Sequence, residues 1–276
     1  MMAPEDRAFQ FLLDKIRRNK GMDFRLYREG TLRRRIERRM RATRCADYSE
    51  YIVHLNKEPS EYDRLVDAIT INVTKFFRDT GTFDLIGKKV IPELVESKEK
   101  QGRRVIRVWS AGTSCGEEAY TVAILFLEVL KDDIRNFNVR IYGTDIDTTC
   151  IQKAREGIYE QRSVNKVRNE LLQRYFAKVG ERYKISEKAK MLTRFKVHNI
   201  ICDDSLPNID LILCRNVLIY FTRALQEMTY SRFTRALNNG GFLVMGKVES
   251  LWGYPAADFD IINNRERVYR KRSVGA

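Results

Sequence analysis

The stretch "VIRVWSAGTSCGEEAYTVAI", residues 105–124, limits the possible folds more than any other part of the chain. Val105, Ile106, Val108 and Trp109 form a short apolar run of the kind that makes a strand buried on both faces. Glu117 to Leu130 is long enough, and rich enough in Ala and Leu, to be a helix. Gly112 and Gly116 bracket the turn between them. Glycine permits positive φ and close approach of backbone to ligand, so strand, glycine-flanked loop and helix together make a nucleotide pocket. Charge excludes phosphate from it. A phosphate-binding loop needs Lys and then Ser or Thr after its last glycine, whereas Gly116 is followed by Glu117 and Glu118. Two carboxylates at a helix N-terminus would repel a pyrophosphate, and the G-x-G-x-x-G spacing is absent. The loop suits a ligand with hydroxyl donors and positive charge, as S-adenosylmethionine has in its ribose, ammonium and sulfonium. The same acids are also favourable first-turn residues of an ordinary helix, and this stretch alone leaves both readings open.

The pattern around the loop changes once along the chain. Residues 1 to about 70 predict an all-helical region, with helices near 5–19, 30–43, 47–56 and 59–71. No Pro- or Gly-rich linker follows, so residues 72–80 read as a connection and not a tether. Beyond it "RRVIRVWSA", "FNVRIYGTDI", "RFKVHNI", "NIDLILCRN" and "GGFLVMGK" read as apolar strands, separated by helices near 116–131, 147–156 and 222–238. Strands alternating with helices predict an α/β fold with a mainly parallel sheet covered on both faces. "DFDIINN" and "RVYRKR" add an antiparallel hairpin at the sheet edge. About 35 residues between "REGIY" and "RFKVHN" fit neither layer and are expected to form an inserted subdomain, with "RYKISEKAKMLTRFKV" as short antiparallel strands. The expected division is a basic helical domain at 1–72 and a catalytic domain at 73–276, with the β insert at about 157–195.

Composition narrows the setting. No hydrophobic run approaches a membrane span, and "MMAPEDRAFQFLLDKIRR" lacks the uncharged core of a signal peptide, so a cytoplasmic protein without membrane insertion is expected. The five cysteines are scattered and contain no C-x-x-C pair, which argues against a disulfide framework and a zinc site and for a reducing compartment. Two histidines are too few for a His-rich metal site, so no metal is expected. The formal net charge of +14 calls for an acidic partner without naming it. Much of that charge lies in "TLRRRIERRMRATR", residues 31–44, where seven arginines face one opposing Glu37. Leu32, Ile36 and Met40 recur every four residues, giving a helix with a narrow apolar stripe and a broad cationic face. That face reads either as solvated charge or as a surface for carboxylate or phosphate, which guanidinium forks bind well. Nucleic acid and an acidic protein surface both remain open.

In parallel sheets ligands lie at the carboxyl ends of the strands. Asp145, ending the second strand in "YGTDID", is placed to accept hydrogen bonds from ribose hydroxyls, while Asp147 reads as a helix N-cap. The third strand ends at Asn199 and the fourth in "CRNVLIYF", where Asn216 and the backbone after it could meet an adenine or methionine group. Tyr220 either lies near the mouth of the site or packs in the core.

"TINVTKFFRD" (70–79), "VWSAGTSCGEEAYTVAI", "YGTDID", "CRNVLIYF" and "NNGGFLVMGKVES" together resemble, in order and spacing, the motifs of the chemotaxis receptor methyltransferases, the CheR family. The resemblance covers nearly the whole chain. It implies a class I S-adenosylmethionine-dependent methyltransferase fold and methyl esterification of glutamate side chains on the cytoplasmic, glutamate-rich helices of chemoreceptors, with S-adenosylhomocysteine as co-product. It places cofactor contacts at Asn72, Thr74, Arg78, Glu118, Asp145, Asn199, Ile200, Asn216 and Val217. Arg78 and Tyr220 would serve the methyl-transfer step, and Arg38, Arg39 and Arg41 would bind the receptor. Ala119 stands where the family usually has proline after the two glutamates, and Lys247 and Val248 precede Glu249 in place of a small or polar pair. The insert carries only the short "KVGERYK", which implies an enzyme, expected to be a monomer, that does not tether to a receptor's C-terminal pentapeptide. A glutamate carboxylate is already ionised at neutral pH and needs no general base, so the scarcity of histidine is no obstacle. Two alternatives are a nucleic-acid methyltransferase and a non-catalytic S-adenosylmethionine-binding module. Against the first, the fourth strand carries "CRNV" where amino-group methyltransferases carry Asp or Asn before Pro-Pro.

Overall fold

The computed structural model of the 276-residue chain describes residues 3–70 and 74–273. The chain divides into two compact units, one made of residues 1–72 and 220–226 and the other of residues 73–219 and 227–276.

The first unit is built on four helices, α1 (Pro4–Lys20), α2 (Glu29–Thr43), α3 (Tyr48–Lys57) and α4 (Glu61–Thr70). Each buries one stripe at helical spacing. α1 contributes Phe9, Leu12, Leu13 and Ile16, α2 Leu32, Ile36 and Met40, α3 Tyr48, Tyr51 and Leu55, and α4 Tyr62, Leu65, Val66 and Ile69. Proline opens α1 and Gly21, at φ 69°, closes it, while the Asp47 carboxylate caps α3 by accepting from the Glu50 amide. Residues 220–226 complete the unit. The Tyr220 carbonyl accepts from the Arg28 amide at 2.7 Å, the Thr222 amide donates to the Leu26 carbonyl at 3.0 Å, and the Phe221 ring meets the edge of Tyr27 at 4.9 Å.

The second unit contains ten strands: β1 (Val105–Ala111), β2 (Asn138–Asp145), β3 (Ile158–Glu160), β4 (Phe176–Val179), β5 (Arg182–Ile185), β6 (Thr193–Val197), β7 (Ile209–Cys214), β8 (Leu237–Met245), β9 (Phe259–Asn263) and β10 (Val268–Lys271). Seven form one sheet in the order β6-β2-β1-β7-β8-β10-β9. β6, β2, β1, β7 and β8 are parallel to one another, and β10 runs antiparallel to β8 and β9. All six residues of β7 are buried, as a strand covered on both faces requires. The strand order reverses between β1 and β7, so the crevice beyond their carboxyl ends is the natural ligand position.

β3, β5 and β4 form the separate antiparallel sheet of the insert, with a two-residue turn at Gly180-Glu181. Two local expectations differ from what is observed. Residues 187–192 are a helix capped by Ser186 and not a strand, because the polar Lys-rich face and buried Ala189 suit a single turn-and-a-half against the core. The region before β1, to which the sequence patterns assign no element, is helical from Thr80 to Lys100 and includes a π-helical turn at Ile86–Val90.

Candidate cofactor site

The loop after β1 is folded onto the end of β2. The Gly112 and Thr113 amides both donate to the Thr144 carbonyl, at 2.8 and 2.9 Å, and the Ser114 amide donates to Asp145 Oδ2 at 2.7 Å. Trp109, buried in β1, donates from Nε1 to Thr144 Oγ1 at 2.8 Å. Gly112 adopts φ 75°, and a Cβ there would lie 2.4 Å from Val217 Cγ2, so the close approach of this loop to the turn after β7 needs glycine. Cys115 and Cys150 are paired, with Cα atoms 4.4 Å apart, a single pairing and not a disulfide framework, while Cys45, Cys202 and Cys214 are free. Thirty-five residues of sequence separation hide a pairing that exists only once the loop has turned back onto the helix after β2.

Glu117 and Glu118 point to different surroundings. Glu118 accepts from Ser110 Oγ at 2.8 Å and from Arg215 Nη1 at 3.3 Å. Glu117 is buried; one oxygen accepts from Ser163 Oγ at 3.3 Å and the other has no hydrogen-bond partner among the described residues. Burial pushes Glu117 up to about 7, against the pull of the Ser163 hydroxyl and the more distant Lys153. Asp145 is likewise pushed up to about 6 by burial, opposed by the amides of Asp147 and Ser114. Asp147 caps the next helix by accepting from the Cys150 amide.

The turn after β7 is clamped from two sides. Glu249, buried after β8, accepts from the amides of Gly246, Asn216, Leu218 and Ile219 at 2.7, 2.9, 2.8 and 3.2 Å. Burial raises its carboxyl, and those amides pull it back. Asn216 is held at φ 61°, an uncommon conformation for a residue with a side chain. Arg215 donates from Nη2 to Asp79 Oδ2 at 2.6 Å and to the Arg78 carbonyl at 3.1 Å, while its Nη1 reaches Glu118. The segment carrying Thr74 and Arg78 is thereby fixed beside the loop, with Phe76 donating to the Ser163 carbonyl and Phe77 to Thr121 Oγ1.

Of the residues singled out from sequence, Glu118, Asp145, Asn216 and Val217 converge on the ends of β1, β2 and β7. Asn199 and Ile200 follow His198, whose amide donates to the Asp145 carbonyl at 2.9 Å, and so lie next to Asp145 in the fold. Asn72 lies outside the described residues. Tyr220 belongs to the helical unit, where the Arg35 guanidinium stacks 4.5 Å above its ring, so its packing reading is the one with a contact behind it. Arg39, expected to bind the receptor, is held by an acid of its own unit. Its Nε and Nη2 donate to the two Glu61 oxygens, at 2.8 Å each, and Glu61 is fully buried and also accepts from the Tyr51 hydroxyl. Burial pulls the Glu61 carboxyl up, but Arg39 and Tyr51 more than offset it and hold it below the ordinary range. Arg33 is similarly engaged with Asp6 and Glu29, and Arg35 donates to the Ile69 carbonyl. Arg34, Arg38 and Arg41 stay exposed along one face of α2. Arg215 and its pairing with Asp79 and Glu118 are what the sequence reading passes over; an Arg directly after a fully buried strand is the signal that could have found it.

The residues at these strand ends fit S-adenosylmethionine. Asp145 and Glu118 offer carboxylates to hydroxyl and cationic groups, and Thr113 Oγ1 is a buried hydroxyl with no hydrogen-bond partner among the described residues. Comparison with known proteins accords with this. Residues 7–70 match the CheR methyltransferase all-alpha domain and residues 72–268 the CheR methyltransferase SAM-binding domain. A chemotaxis protein methyltransferase of Listeria innocua is 32% identical over 251 residues, covering 91% of this chain and 93% of that protein. Chemotaxis protein methyltransferase 2 of Pseudomonas aeruginosa is 30% identical over 250 residues, 88% of this chain and 86% of that one. An uncharacterized 104.1 kDa protein of Rhodobacter capsulatus is 33% identical over 92% of this chain, which spans only 26% of that longer protein. Two family domains matched in sequence order, on a fold whose strand ends carry the acids such a cofactor requires, make this chain a member of the CheR methyltransferase family.

Proposed function

We propose that the enzyme transfers the methyl group of S-adenosylmethionine to glutamate side-chain carboxylates of chemoreceptors, giving glutamate 5-O-methyl esters and S-adenosylhomocysteine. The observation that carries the reading is the convergence of Glu118 and Asp145 at the ends of β1 and β2, where a phosphate-binding site would have basic residues. Asp145 accepts from the ribose hydroxyls, using lone pairs that Ser114 and Asp147 leave unused. Glu118 meets the cationic end of the cofactor, Asn199 and Ile200 flank the adenine, and Asn216 and Val217 close the site from β7. Thr74 and Arg78 complete it from the preceding connection, with Arg78 helping to organise the cofactor and the incoming carboxylate.

The bound cofactor supplies an electrophilic methyl group on a sulfonium. The acceptor glutamate is ionised at neutral pH, so the protein's task is to align its oxygen with that methyl and to exclude water from it. Arg34, Arg38 and Arg41 attract the acidic receptor helix, while Arg39 stays bound to Glu61. The short Gly180 turn of the insert supports docking without a receptor tail tether. Isotope-labelled methyl transfer should be compared between receptor-containing membranes and RNA. We expect label in receptor protein that base releases as methanol. Label in RNA, or base-stable label in protein, would overturn the assignment.

A further inference from the structure

We propose that Arg215 tunes how the site discriminates between the sulfonium cofactor and its neutral product, acting through Asp79 and Glu118. The inference rests on the cofactor reading above. The Arg215 side chain is 2% exposed, and its guanidinium lies against Asp79 at 2.6 Å and Glu118 at 3.3 Å, with its carbon 5.0 Å above the Phe83 ring. Two carboxylates share one cation, so the group carries one net negative charge. S-adenosylmethionine loses its sulfonium charge when the methyl leaves, and S-adenosylhomocysteine is otherwise nearly the same molecule. A site that is too negative would hold the first far better than the second; a neutral one would lose that advantage. Arg215 fixes the charge between these limits, at low local dielectric where a unit charge is weakly screened. The same fork joins the Arg78 carbonyl to Glu118, which a Lys could not do in a single geometry. Its Nε is buried with no hydrogen-bond partner among the described residues, and these contacts are made by the two terminal nitrogens.

Titration calorimetry with S-adenosylmethionine and S-adenosylhomocysteine tests this through the ratio of their two Kd values. Arg215→Met should weaken both but the product more, moving the ratio toward the cofactor by about fivefold. Asp79→Asn removes the opposite charge and should move it the other way by a similar factor. Arg215→Lys keeps the charge and should leave the ratio within about twofold of the parent even where both affinities fall. A purely structural role would change both Kd values together and leave the ratio fixed in all three variants, which would overturn the proposal. If Arg215→Met does not fold, the contrast between Asp79→Asn and Arg215→Lys decides it. Failure of the unaltered protein to bind either compound would instead overturn the cofactor reading itself.

Discussion

Glu117 shows how two adjacent, chemically identical residues diverge once one is buried. Its neighbour Glu118 is balanced by Arg215, whereas Glu117 faces Ser163, the Tyr159 ring and the more distant Lys153, none of which offers a close cation. An acid held at about 7, against an ordinary 4.5, stays protonated in the folded protein while the unfolded chain has already ionised. Its contribution to stability is therefore fully present below pH 4.5, declines from there to about pH 7, and is flat above. Glu117→Gln keeps the shape and the Ser163 bond without the charge. It should match the parent near pH 4.5 and exceed it by about 3 kcal/mol at pH 8, as read from urea unfolding at both values. An equal difference at the two pH values would show that desolvation is not what distinguishes Glu117. Gly112 makes a steric argument at the same scale. Its Cβ position is 2.4 Å from Val217 Cγ2 and its φ is 75°, so Gly112→Ala should weaken S-adenosylmethionine binding at least about tenfold. Adding Val217→Ala relieves the clash but not the backbone strain, so calorimetry should show only partial recovery.

At the scale of elements, α2 separates roles that its sequence presents as one basic face. Arg39→Ala leaves Glu61 buried without its bidentate partner and should cost about 3–5 kcal/mol, read as a lowered Tm. Reversing Arg38 and Arg41 to Glu should change stability by less than about 0.5 kcal/mol each, since both are exposed. It should nevertheless slow receptor methylation several-fold at low salt, with the difference narrowing as salt rises; equal rates throughout would remove the steering role. The contrast also explains what could be read in advance. The stripes of α1 to α4 are periodic, and the observed helices begin and end within about two residues of those expected. Which arginines would be consumed depends on Glu61, a helix away, and no local pattern carries that information. The helix Thr80–Lys100 lacks a clean stripe because its middle turn is π-helical, which shifts the spacing of its buried residues. In the site, the glycine loop and Asp145 are local in sequence and were legible; Arg215 with Asp79 and Cys115 with Cys150 are long-range pairings and were not.

For the whole molecule, the division into units does not follow the chain. Residues 220–226 leave β7 and return to the second unit at Glu227, yet their contacts are with the turn before α2. Phe221 is 1% exposed, forms an isolated bridge with Tyr27 and packs edge-on against its ring. Its burial therefore belongs energetically to the helical unit, although residues 73–219 of the second unit stand between them in the chain. Phe221→Ala should cost about 3–5 kcal/mol, and cooperative units lose amide protection together. Hydrogen exchange on the full-length variant should then show faster exchange in α1 and α2, with protection in β1 and β7 retained. The opposite pattern, with β7 weakened and α2 unchanged, would place residues 220–226 in the energetics of the sheet. The helical unit would then be held by its own four helices alone, and residues 220–226 would not complete it.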